Sequence, residues 1–184
     1  MTGLYIHIPL CRSRCRYCDF YKVTPNQWDG ADRFLNAIDL ELSLLPDSFK
    51  PDTLFIGGGT PSALSSIELD QFFTILRKRI FLNSLKESTV EVNPNSIDQE
   101  KLLILKQADI NRISIGVQTF QPNALKLLGR AHNTEQSIEA FNLARESGFD
   151  RINIDLIQAV PGLSGLQRID DVNQILKLQP DHIS

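Results

Sequence analysis

Past Cys18 the chain contains no cysteine. All three of its cysteines fall within one eight-residue run, Cys11-Arg-Ser-Arg-Cys15-Arg-Tyr-Cys18. An odd count confined to one loop argues against a disulfide framework. No segment resembles a secretory signal or a membrane span. The expected compartment is therefore the reducing cytoplasm, where clustered thiols bind metal more often than they pair. Charge of either sign is also scarce in excess: 19 Lys and Arg against 22 Asp and Glu leave a net charge of −3. That excludes a chain that binds nucleic acid through overall electrostatics. The one basic run, Arg77-Lys-Arg79, reads as the solvated face of a helix. Low-complexity stretches and Gly/Ser linkers are missing, so the 184 residues read as one domain, or part of one.

What is there begins with the thiols. Three thiolates cannot close an Fe4S4 cube, which has four iron corners, so such a cluster would keep one iron open to a non-protein ligand. A structural zinc ion is the competing chemistry, because His7-x3-Cys11-x3-Cys15-x2-Cys18 offers one imidazole and three sulfurs for tetrahedral coordination. Inert buried thiols are the third reading. The alternating Arg12, Arg14 and Arg16 speak against it, since they disfavour apolar burial and would lower the thiol pKa values.

The rest of the chain alternates short apolar runs with longer amphipathic ones. Strands are expected at Leu4–Ile8, Thr53–Ile56, Thr89–Val92, Arg112–Gly116 and Arg151–Leu156, with a sixth opening at Pro180–Ser184. Helices are expected at Ala31–Leu45, Ile67–Phe81, Asp98–Gln107, Thr134–Ser147 and Leu166–Leu178. Ser65-Ser-Ile-Glu68 is a capping box, and Gly148 ends its helix in the left-handed region. Strand–helix alternation implies parallel pairing through right-handed crossovers. The fold class is α/β, a partial (β/α) barrel of about five βα units plus the start of a sixth strand. A barrel is preferred to an open doubly wound sheet because five successive strands deliver glycines or polar residues at one end, where barrels carry their sites.

Those residues are the Gly57-Gly-Gly-Thr-Pro-Ser62 run, Glu91, Gln118 and Asp155. The glycine run lacks the lysine of a phosphate loop and the spacing of a dinucleotide fingerprint. It does permit close backbone approach to a small polar ligand. Glu91 suits an ammonium group or ribose hydroxyls. His132 reads as a surface residue before the helix at Thr134, and Trp28 as core.

Together the segments Tyr5-Ile-His-Ile-Pro-Leu-Cys11-x3-Cys15-x-Tyr17-Cys18-Asp19-Phe20, Gly57–Ser62, Glu91-Val-Asn-Pro94, Arg112–Phe120, Leu128-Gly-Arg-Ala-His132 and Asn153-Ile-Asp-Leu156 resemble the radical S-adenosylmethionine superfamily. The branch is that of oxygen-independent coproporphyrinogen III oxidase and the heme chaperone HemW, and the resemblance runs from Leu4 to Ser184. It implies that Cys11, Cys15 and Cys18 ligate a [4Fe-4S] cluster whose open iron chelates S-adenosylmethionine, the source of a 5′-deoxyadenosyl radical on reduction. Tyr5, Gly58 and Glu91 match contacts to that cofactor. Tyr17, Gly59, Thr60, Gln118, Arg130 and Asp155 match contacts to a second S-adenosylmethionine in the oxidase.

Asp19-Phe20 stands where the oxidase places a further cysteine, which favours the heme-chaperone side. The implied role is heme or porphyrin handling, with heme or a porphyrinogen as ligand and a reductant such as flavodoxin or ferredoxin as partner. Coproporphyrinogen dehydrogenation is the alternative, and an inactive β/α module with structural zinc is the alternative of another class. Two departures stand out. Ile157-Gln-Ala159 replaces the family's aromatic residue and glycine. The expected domain, residues 1–184, is the superfamily core truncated at its C-terminal end and without the family's C-terminal domain, either a fragment or a paralogue completed by a partner.

Overall fold

Period-two alternation in the strands and period-three-to-four spacing in the helices produce one layered structure. The computed structural model describes all 184 residues. In chain order it contains β1 (Gly3–Ile8), α1 (Ala31–Ser43), β2 (Thr53–Gly58), α2 (Ser66–Arg77), β3 (Glu87–Val92) and α3 (Gln99–Gln107). β4 (Arg112–Gln118), α4 (Pro122–Leu128), α5 (Thr134–Glu146), β5 (Ile152–Leu156), α6 (Gly165–Leu178) and β6 (His182–Ile183) follow. The six strands form one parallel sheet in the order β1-β2-β3-β4-β5-β6. β1 and β6 do not pair, so the wall is open. Each expected strand and helix is present, with ends that differ by a few residues. α4 was not anticipated.

One parity of each strand points at the helices. Ile6, Ile8, Leu54, Ile56, Val90, Ile113, Ile115, Ile152 and Ile154 are buried there against Phe72, Phe73, Leu102, Leu105 and Phe141. Burying one such side chain stabilises the fold by about 1.5–3 kcal/mol before entropy is counted. The opposite parity, which faces the inside of the wall, carries Tyr5, His7, Glu91, Ser114, Asn153 and Asp155. Branched aliphatics usually fill that layer of a barrel; here it is polar, and it forms hydrogen bonds instead. Asn153 Nδ2 donates to Ser114 Oγ at 2.8 Å and to Asp155 Oδ1 at 2.8 Å.

The expected punctuation is in place. Ser65 Oγ accepts from the Glu68 amide and Glu68 Oε2 from the Ser65 amide. Gly148 has φ of 82°. Arg77, Lys78 and Arg79 are exposed, and Trp28 packs partly buried against the core. His132 departs from expectation: it is buried, because the turn after α4 folds its ring inward and Nε2 bonds the Val117 carbonyl. No helix is long and apolar enough to cross a membrane.

Candidate functional site

The C-terminal strand ends open onto a cavity of about 410 Å³, a volume typical of small-molecule sites. Cys11, Cys15, Cys18, Tyr17, Gly58, Gly59, Thr60, Glu91, Gln118, Arg130 and Asp155 all line it. Tyr5 alone of the expected residues does not. It lies on the same inner face of β1 but beyond the cavity lining, half-exposed, with its ring stacked on Phe55 and its hydroxyl 3.1 Å from His7 Nδ1.

The cysteine loop is closed at its base. The Cys11 amide donates to the Val23 carbonyl and the Val23 amide to the Pro9 carbonyl. The Arg16 amide donates to the Leu128 carbonyl of α4, and Lys22 Nζ donates to the Cys18 and Phe20 carbonyls. All three thiols are free, and their sulfurs are not drawn into a closed cage as they stand. The expectation that Arg12, Arg14 and Arg16 tune the thiols is corrected for Arg12 and Arg14. Arg12 reaches the Asn95 carbonyl and Arg14 reaches Gln27. Burial pushes the Cys11 thiol up, chiefly by loss of solvent. The guanidinium that does approach sulfur is Arg130, with Nη1 3.5 Å from Cys15 Sγ. His7, the expected fourth zinc ligand, is occupied at both nitrogens, with Nε2 2.9 Å from the Tyr21 carbonyl.

The glycine loop packs beneath the thiols. Gly58 has φ of +105°, and a Cβ there would meet the His7 ring at 2.5 Å. A Cβ on Gly59 would fall 2.7 Å from the Pro9 and Leu10 backbone. Only glycine lets β2 run on against the root of the cysteine loop. The Gly59 and Thr60 amides donate to the Ile8 and Leu10 carbonyls. Beside them Glu91 Oε2 accepts from the Gly58 amide at 3.2 Å.

Two carboxylates face the cavity, and both are held above the usual range. Burial is the first cause for Glu91, with the nearby Asp155 charge adding to it. Burial also raises Asp155, opposed by hydrogen bonds from Asn153 and Ser114. His132 is pushed down to about 4 by burial and by the Arg130 charge, so its ring is neutral at pH 7. Burial raises Tyr17 to about 12. Gln118 ends β4 at a register shift and has φ of 71°. A non-glycine residue in that region stores local strain, which clusters at functional sites.

Sequence reasoning passed over Asn93, Ser96 and Lys101. Lys101 Nζ is buried and donates to the Ser62 and Ser96 carbonyls at 2.8 and 3.0 Å. It thereby clamps the loop after β2 to the loop after β3.

The chain matches the family model of the Radical SAM superfamily over residues 5–175. It is 39% identical over 188 residues to a protein named heme chaperone HemW from Bacillus subtilis (strain 168), covering 100% of this chain and 49% of that one. With the heme chaperone HemW of Escherichia coli (strain K12) it shares 36% over 186 residues, 99% of this chain and 49% of that one. The chain thus spans about half the length of the curated relatives it matches. Among solved structures it is similar to coproporphyrinogen III oxidase (HemN) from Escherichia coli, described as a radical SAM enzyme. The TM-score is 0.87 and identity 29%, over 99% of this chain and 43% of that one. The radical S-adenosylmethionine methyltransferase TsrM from Kitasatospora setae has the same fold, with a TM-score of 0.72 at 16% identity, over 100% of this chain and 35% of that one.

Proposed function

Because the chain belongs to the Radical SAM superfamily, we propose that it holds a [4Fe-4S] cluster and S-adenosylmethionine in the cavity at its strand ends and serves heme handling of the HemW type. One observation carries the reading. Three cysteines and Tyr17 from one loop line the same cavity as Gly58, Gly59, Thr60, Glu91, Gln118, Arg130 and Asp155, seven residues drawn from β2, β3, β4, β5 and their loops. The donor set fits the group. Three sulfurs leave one iron corner open, and polar side-chain groups already approach two of them, the Thr60 hydroxyl at 3.6 Å from Cys11 Sγ and Arg130 Nη1 at 3.5 Å from Cys15 Sγ. Arg130 Nε is also buried without a partner.

When bound, the cluster supplies one-electron reduction of the sulfonium cofactor. The protein's part is to bind, orient and exclude water. Glu91 and Asp155 are acceptors suited to the ammonium group or ribose hydroxyls of S-adenosylmethionine. Gly58 and Gly59 line the cavity beside β2 without a side chain. Neutral His132 adds no charge to a wall that already holds Arg130. Heme chaperoning is preferred to coproporphyrinogen chemistry because the named curated relatives are heme chaperones and because Asp19 follows the third cysteine. The likeness to the oxidase structure keeps coproporphyrinogen dehydrogenation as the second reading.

Anaerobic reconstitution with iron and sulfide tests the cofactor half. About four irons and four sulfides per chain and a reducible EPR signal are expected; stoichiometric zinc without iron uptake refutes it. Heme titration set against coproporphyrinogen turnover tests the second half. Turnover without heme binding reverses the preference.

A further inference from the structure

Asn93 lies between the two polar groups that reach the thiols. Its Oδ1 accepts from Arg130 Nη2 at 2.6 Å, and its Nδ2 donates to Thr60 Oγ1 at 2.8 Å. Arg130 also donates to the Gly116 carbonyl at 2.6 Å, which fixes the guanidinium on β4. A guanidinium has no acceptor, so it settles which end of the Asn93 amide is oxygen. The amide nitrogen must then face Thr60. Because Thr60 Oγ1 accepts that bond, its own hydrogen is left for another acceptor, and Cys11 Sγ is 3.6 Å away.

The Asn93 backbone is held just as firmly. Its amide donates to Ser62 Oγ, and its carbonyl accepts from the Ser96 amide and hydroxyl. Lys101 ties the carbonyls of those same two serines together from below.

Building on the cluster reading above, we propose that Asn93 is a positioning residue that points the Thr60 hydroxyl at the Cys11 sulfur, and so sets the reduction potential of the cluster held there. A hydrogen bond to a ligand sulfur stabilises the extra electron of the reduced cluster and raises its potential. Asparagine is required for its amide hydrogens, not for its size. Aspartate has the same shape and keeps Arg130, but it cannot donate. In Asn93→Asp the Thr60 hydroxyl turns to the new carboxylate and Cys11 loses its donor.

The test is an EPR-monitored redox titration of anaerobically reconstituted native protein, Asn93→Asp, Thr60→Val and the double variant, with iron counted in each. All four are expected to hold equal iron. Each single variant should shift to a more negative potential, with a tenfold loss in the reduction equilibrium read as about 59 mV for a one-electron couple. The double variant should shift no further than Thr60→Val alone, because the two residues act in series. Additive shifts assign the Asn93→Asp effect to its added charge and overturn the proposal, as does an unshifted Thr60→Val. Iron lost from Asn93→Asp but kept by Thr60→Val makes Asn93 a scaffold residue and also overturns it. No iron uptake by the native protein overturns the cluster reading itself, a distinct failure.

Discussion

Glu91→Gln should make the protein more stable and a poorer binder. The carboxylate is held against the glycine loop: a Cβ on Gly57 would sit 2.6 Å from Glu91 Oε2. Its one bond to the protein comes from the Gly58 amide, and a glutamine carbonyl accepts that equally well. Burial and the Asp155 charge raise the Glu91 pKa in the folded state. Folding is therefore penalised at pH values where the carboxylate is charged. As pH falls through the raised folded value, the folded protein takes up its proton before the unfolded chain does, and the penalty disappears. Glutamine removes the penalty at every pH. The melting temperature of Glu91→Gln should thus exceed that of the native protein at pH 7, and the gap should close below the unfolded carboxylate value.

Cofactor binding moves the other way. Glutamine loses a charge-assisted hydrogen bond worth about 1.5–3 kcal/mol, or roughly 10- to 150-fold in affinity. Isothermal titration of S-adenosylmethionine into reconstituted protein reads that number, and differential scanning calorimetry across pH reads the stability. Equal affinity with intact iron would refute the role given to Glu91. A lower melting temperature at pH 7 would refute the burial argument.

Replacing Cys15 by Ser should abolish stable cluster assembly, read by iron count, and leave the circular dichroism spectrum nearly unchanged, because the loop caps the wall rather than filling the core. Gly59→Ala drives a methyl into the Pro9 and Leu10 backbone at 2.7 Å; overpacking of about 1–3 kcal/mol is expected by urea unfolding, together with reduced iron uptake. Asp171, buried on α6, accepts from Thr119 Oγ1 at 2.7 Å and the Phe120 amide at 2.9 Å. Asp171→Ala leaves both donors stranded and should cost about 3 kcal/mol, a fall of about 6–12 °C in melting temperature for a domain of this size.

The wall was legible because parallel strands bury one aliphatic parity, and Ile113-x-Ile115 or Ile152-x-Ile154 carry that signal locally. The site was legible where its residues sit in contiguous runs, as with the cysteines and Gly57–Gly59. Side-chain direction was not legible. Alternating Arg12, Arg14 and Arg16 look like partners for thiolates, yet Arg12 and Arg14 turn to oxygen acceptors elsewhere, and the partner of Cys15 comes from position 130. Lys101 looks like an ordinary helix surface residue, and only the third dimension carries its amine to two carbonyls. α4 was missed because seven residues give too little periodicity. Pro122 at its first position and Gly129 at its left-handed end were the available signals. The inward turn of His132 depends on that same short helix.

The strand order copies the chain order, and this has a consequence for synthesis. A growing chain can dock each βα unit onto the one just completed, N-terminal first, with no strand waiting for a distant neighbour. The cysteine loop is the exception. It leaves the ribosome before every helix of the wall, but Arg16 waits for Leu128 and Cys15 for Arg130. Until α4 emerges the thiols are exposed while the wall behind them is already half built. Cluster insertion belongs after that moment. Stalled nascent chains ending before α4 should react freely with a thiol-labelling reagent, and chains extending beyond α5 should react more slowly. Equal labelling at both lengths would show that the loop closes without α4.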